Sequence, residues 1–158
     1  MTETLDLSKI TYAVEAWPDM YKEYEPFVIP HWEELGLDRM DVPVSIDWAR
    51  YQELHDAGIL HIVTTRDNGV LIGYHMSLVS TALHYSTTPH AMVDLYYLKP
   101  EYRKSKVGLK MFQFAERALK NRGVVKIITA TKLHLNHTPL FEALGYKASE
   151  ITFTKVIT

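Results

Sequence analysis

Residues 96–109 read Tyr-Tyr-Leu-Lys-Pro-Glu-Tyr-Arg-Lys-Ser-Lys-Val-Gly-Leu, and the cations Arg103, Lys104 and Lys106 fall just ahead of an amphipathic run. A helix that starts there offers unpaired N–H groups and the positive end of its dipole, and the side-chain cations add to that field. The chemistry indicated is capture of a pyrophosphate. A solvated basic helix start would show the same composition. Two glycine-rich alternatives fail: no GxGxxG follows a strand pattern and no GxxxxGK[ST] occurs, which disfavours dinucleotide oxidoreduction and nucleoside-triphosphate hydrolysis. His134 and His137 precede a short helical pattern, but no HExxH or Glu-x-x-His accompanies them, and no metal is expected. His75, His84 and His90 fall in or beside strand patterns, where they either line a pocket or sit as hydrogen-bonded surface. Trp17, Tyr21, Tyr24, Trp32, Trp48 and Tyr51 concentrate in the first third, as core or as an aromatic pocket wall.

A phosphate loop needs a strand before it and a helix after it. His90 to Leu98 (HAMVDLYYL) is the strand, stopped by Lys99-Pro100; Ser105 to Asn121 is the helix, apolar at Leu109, Phe112, Ala115, Ala118 and Leu119 and closed by Gly123. Val124 to Thr131 (VVKIITAT) follows as a second strand, and the three form a β-α-β unit with parallel strands. Upstream, Ile59 to Thr65 and Val70 to Leu83 flank Asp67-Asn68-Gly69 as a β-hairpin. The first third reads as a strand over residues 10–16, a helical segment to Gly36 broken by Pro26 and Pro30, and a helix over Asp47 to Ala57. Thr138-Pro139 opens a short helix ending near Gly145, and Ile151 to Ile157 alternates as a last strand. The order βααβββαβαβ implies an α/β fold with a mixed sheet.

The chain of 158 residues fits one domain, residues 1–158, with 47% hydrophobic and 23% charged residues, as expected of a folded globular protein. Lys plus Arg number 17 against 19 Asp plus Glu, so no global positive field exists for a nucleic-acid backbone or an anionic membrane, and nucleic acid is an unlikely partner. There is no cysteine, which removes thiolate zinc sites and a cysteine nucleophile. No apolar run approaches a membrane span and no basic start precedes an apolar block; a cytoplasmic location is expected.

The stretch YLKPEYRKSKVGLKMFQFAERALKNRG resembles the acyl-CoA-binding motif of the GCN5-related N-acetyltransferase (GNAT) superfamily, Arg/Gln-x-x-Gly-x-Gly/Ala. Arg103 matches the first position and Gly108 the last, while Lys106 stands at the first glycine position, either keeping φ negative or placing its ammonium on a phosphate. The resemblance extends over the strand-Pro entry at Leu98-Lys99-Pro100 and LFEALGYK, residues 140–147. It implies a GNAT-like central mixed β-sheet flanked by helices, whose parallel strands 90–98 and 124–131 splay apart to admit the pantetheine arm of acetyl-CoA as co-substrate. The implied cofactor-binding residues are Tyr96, Leu98, Arg103, Lys104, Lys106, Val107, Gly108, Leu109, Asn136 and Phe141.

The same resemblance implies transfer of an acetyl group to a primary amine of a small molecule or protein. Some members carry an acidic base on the strand before the loop, where a well-known branch has Glu at the position of Met92. Asp94, two residues on and on the same strand face, is the candidate base, with a structural carboxylate as the other reading. Many members protonate the leaving thiolate with a Tyr at the position of Phe141, which cannot do so; His134, Tyr146 and Tyr97 are the alternatives. Lys106 and Phe141 would equally permit a catalytically inactive GNAT-like fold that binds CoA or a protein partner. A homodimer is possible, since the last strand is a usual pairing edge in this superfamily.

Overall fold

The computed structural model of the chain describes residues 5–157. One sheet runs in the order β1 (Ile10–Val14), β2 (Leu60–Asp67), β3 (Val70–Ala82), β4 (Tyr85–Leu98) and β5 (Lys126–Ile128), antiparallel throughout except for the parallel β4–β5 pair. Alternation along each strand divides the core between two faces. On one, Ile62, Tyr74, Met76 and Tyr97 pack with Trp17, Met20, Tyr24 and Val28 of α1 (Trp17–Tyr24) and α2 (Val28–Leu35), and Tyr51 and Leu54 of α3 (Trp48–Asp56) join them. On the other, Val63 meets Met111, Phe112 and Ala115 of α4 (Val107–Asn121) and Phe141 of α5 (Thr138–Ala143). This is the mixed, helix-flanked α/β sheet expected from the element order.

The local chemistry explains most boundaries. Asn68 (φ 48°) and Gly69 (φ 84°) both occupy the left-handed region that a tight hairpin turn requires, so the β2–β3 turn falls where the sequence put it. Asp47 caps α3 by accepting from the Arg50 N–H at 2.9 Å. Pro26 lies in a 3₁₀ turn over Glu25–Phe27 that separates α1 from α2, whereas Pro30 is accommodated in the first turn of α2, where its missing N–H costs nothing. Gly73, opposite Leu98, lets β3 and β4 close tightly: a Cβ there would stand 2.7 Å from the Tyr97 carbonyl oxygen.

Three elements depart from the sequence reading by more than two residues. β4 starts at Tyr85 rather than His90, crossing Pro89 next to a register shift at Thr81/Ala82, the kind of irregularity that tolerates a residue without an N–H. β5 holds only Lys126–Ile128 of the expected 124–131, because pairing with β4 stops at Met92↔Ile128. Residues 151–157 form no strand and pair with none of the described strands: Ile151, Phe153 and Ile157 are exposed, because alternation reports β-propensity and not pairing.

Candidate functional site

The β4–β5 ladder consists of His90↔Lys126, Ala91↔Ile127 and Met92↔Ile128, after which the two strands part. Val93–Leu98 on β4 thus face a cleft whose other margin is the segment from Thr129 to His137. Tyr96 spans it: its hydroxyl donates to the Ala130 carbonyl at 2.9 Å and lies 3.3 Å from Nδ1 of His137. With the phenol hydrogen on Ala130, the network assigns the N–H to His137 Nδ1. Burial lowers the His137 pKa, keeping this ring neutral. The Tyr96 ring meets Phe112 and Phe141 edge-on at 5.3 and 5.8 Å, which holds the ring in place. Asn136 faces α5, its side-chain oxygen accepting from the Thr138 N–H at 2.9 Å. Among the described residues no group of three or more His, Cys, Asp or Glu could hold a metal ion; His134 and His137 turn to different partners.

At the mouth of the cleft lies the start of α4. Lys106 precedes it with φ −77° and ψ 1°, so the position uses no left-handed conformation and a lysine fits where a glycine was expected. Ser105 Oγ donates to the Tyr102 carbonyl at 2.6 Å and accepts from the Val107 N–H at 3.2 Å, which is why the helix begins at Val107 rather than Ser105. The N–H groups of Gly108 and Leu109 follow in the first turn, where no intrahelical acceptor exists. A Cβ on Gly108 would meet Leu98 Cδ2 at 3.6 Å, an ordinary contact, so the start of α4 packs directly on the end of β4. Lys104 and Lys106 are exposed around this point, and Val107 and Leu98 are buried beneath it. The β4 edge beyond Met92, the first-turn N–H groups of α4 and the exposed ammonium groups of Lys104 and Lys106 are the groups at this end of the sheet that could hold an extended diphosphate ester.

Arg103 takes a different position from its neighbours. Its Nε donates to the Leu98 carbonyl at 2.7 Å, its terminal nitrogen binds both oxygens of Glu34 at 2.8 and 2.9 Å, and its guanidinium lies 5.2 Å over the Tyr97 ring. Tyr97 points away from the cleft into the first core, against Phe27, His31 and Tyr74. His134 Nε2 bonds the Glu34 carbonyl at 2.8 Å. Glu34 carries no sequence signal: its partners lie 69 and 100 residues along the chain, and in isolation it reads as one more charge at a helix end.

Asp94 is singled out by register. Met76 pairs with Leu95 and Ser77 with Val93, leaving Asp94 as the extra residue of a β-bulge, a device that re-aims a side chain. The residue is open to solvent, yet the protein around its carboxyl raises its pKa by desolvation, and its charge acts on the phenols of Tyr24 and Tyr51. Those rings belong to an aromatic group in which Trp17 stacks on Tyr51 at 4.4 Å and Trp48 lies 6.0 Å from Trp17. Tyr146 is remote from this face; burial foremost, helped by the nearby Glu116 charge, raises its phenol. His75 is core, its ring edge-on to Phe112 at 5.0 Å under α4.

Residues 17–146 match the model of the acetyltransferase (GNAT) family. Among curated protein sequences there is no significant match. Solved structures share the fold at low identity. An aminoglycoside acetyltransferase from an uncultured soil metagenomic sample, in complex with sisomicin, is 11% identical with a TM-score of 0.73, over 95% of this chain and 97% of that one. A ribosomal-protein-alanine N-acetyltransferase from Brucella melitensis is 15% identical with a TM-score of 0.73, over 94% and 98%. A predicted acetyltransferase from Clostridium acetobutylicum, solved with acetyl-CoA, is 14% identical with a TM-score of 0.66, over 93% and 96%.

Proposed function

The chain belongs to the acetyltransferase (GNAT) family, and from that premise we propose that it transfers an acetyl group from acetyl-CoA to a primary amine of a small molecule or protein. The observation that carries this reading is the tract from the open β4 edge to the α4 N-terminus. Pantetheine amides pair with the free edge of Val93–Leu98, the pyrophosphate lies on the N–H groups of Gly108 and Leu109, and Lys104 and Lys106 neutralise its charge.

A backbone N–H on the open edge donates to the thioester oxygen as charge develops there. Asp94, aimed by its bulge to the face with Tyr24 and Tyr51, takes a proton from the acceptor ammonium directly or through water. The free amine then attacks the carbonyl carbon, the N–C bond forms, the attacking nitrogen gives its second proton to water, and the C–S bond breaks. The raised pKa of Asp94 moves the base closer to neutral pH, where proton acceptance is most effective. Phe141 provides no proton for the departing thiolate, and Tyr97 faces the core, so that proton comes from His134 at the cleft margin or from water. A thiolate is a good enough leaving group for either.

Incubation with labelled acetyl-CoA and a panel of amines, peptides and cell extract tests the reading. Acetylated amine product above the no-enzyme level supports it; acetyl-CoA binding without any labelled acceptor favours the non-catalytic CoA binder instead.

A further inference from the structure

Two margins of the cleft are joined by one residue of a third element. Glu34, in the last turn of α2, holds the Arg103 guanidinium with its carboxylate and receives His134 Nε2 on its backbone carbonyl. Arg103 belongs to the loop leaving β4; His134 belongs to the loop leaving β5. Glu34 therefore bridges the end of the cleft at which the two strands have parted. The ion pair is sheltered, with side-chain exposures of 32% for Arg103 and 28% for Glu34, so salt screens it less than an open surface pair.

Arg103 does more than bind Glu34. Its Nε occupies the carbonyl of Leu98, an acceptor at the end of the β4 edge. A ligand with amides along that edge and a pyrophosphate at the following helix start competes twice: for the Leu98 carbonyl and, through its phosphates, for the guanidinium. The Glu34 and Leu98 contacts of Arg103 are anion and lone-pair contacts that a diphosphate ester can replace, and Glu34, at 28% exposure, keeps contact with water.

We propose that Glu34 is a latch and positioning residue: its carboxylate holds Arg103 at the end of the cleft, and the phosphates of the acyl donor compete with that carboxylate for the guanidinium. The proposal rests on the acetyl-CoA reading above. It links the two halves of the site, because α2 lies on the sheet face where the Asp94 charge acts on Tyr24 and Tyr51, whereas the phosphate tract lies at the α4 end. Glu34 thereby ties an acceptor-side helix to the loop that carries the phosphate tract.

The test compares wild type with Glu34→Gln, which keeps the shape and removes the charge, and Glu34→Asp, which keeps the charge on a shorter arm. Peptide mapping after phenylglyoxal treatment, without any ligand, reads the latch directly: Arg103 should react about tenfold faster in Glu34→Gln, the cost of one charge-assisted bond, and at an intermediate rate in Glu34→Asp. Calorimetry with CoA should give an affinity several-fold tighter in Glu34→Gln, and steady-state kinetics should show a raised KM for the amine at little-changed kcat. Equal Arg103 reactivity in wild type and Glu34→Gln, or CoA affinity equal to or weaker than wild type with only a lowered melting point, would overturn the latch. If wild type protects Arg103 but binds no CoA, the latch stands as a contact while the acetyl-CoA reading falls.

Discussion

At the scale of single residues, labour divides between Asp94 and the phosphate tract. Asp94→Asn preserves shape and removes the proton acceptor, so turnover at pH 7 should fall about 10²-fold or more with CoA affinity unchanged. Raising the pH should recover part of the loss, as more amine arrives already neutral. The wild-type pH–rate profile should carry an acidic limb above the ordinary Asp value of 3.8, because desolvation raises this carboxyl, and the variant should lack that limb. Full activity of Asp94→Asn at pH 7 would make the residue structural. Lys106→Ala should weaken CoA binding roughly tenfold by removing one ammonium from the pyrophosphate, with kcat at saturation little changed; calorimetry decides. Asp94 was legible because strand alternation put it beside Met92, but the bulge that aims it was not, since register depends on the partner strand. Arg103 was legible as a cation near a helix start. That Glu34 would hold it was not, because the contact joins residues 69 positions apart.

At the scale of elements, the position of the β4 edge depends on Gly73. A methyl group there would sit 2.7 Å from the Tyr97 carbonyl and 2.9 Å from Leu98 Cδ1, so Gly73→Ala must push the end of β4 away from β3. Overpacking of this kind costs on the order of 1–3 kcal/mol, read as a lowered melting point, and CoA affinity should fall with it because the displaced edge is the one the pantetheine arm uses. An unchanged melting point and affinity would show that β4 is not held by this contact. The hairpin and α4 were readable from local chemistry: Asn68-Gly69 supplies the turn, and the apolar face of α4 recurs at helical spacing. β5 was overestimated, because β-branched residues at 124–131 report strand propensity while the ladder length is set by where β4 turns aside. The same holds for residues 151–157, whose alternation is not matched by pairing with any described strand.

At the scale of the whole molecule, three buried histidines couple stability to pH. His31, bonded through Nδ1 to the Tyr74 hydroxyl at 2.7 Å, and His61 and His75 on the α4 face are each lowered to about 4, foremost by burial. Their folded pKa values lie below the ordinary 6.5, so the unfolded chain binds more protons between those limits and stability rises with pH there. The contribution is fully present above pH 6.5 and is lost as pH falls toward 4, by about 3 kcal/mol for each histidine at the lower limit. The melting point should therefore drop steeply below pH 6; a flat profile from pH 7 to 4.5 would mean these rings are already solvated. The central claim, that the β4–β5 cleft and the α4 N-terminus form one acetyl-CoA site, is tested most directly by calorimetric titration of the protein with acetyl-CoA, paired with its melting point. One equivalent should bind with measurable heat, and a hundredfold excess over Kd should stabilise the fold by about 2.7 kcal/mol. No heat together with an unchanged melting point would contradict it, for the enzyme and for the non-catalytic binder alike.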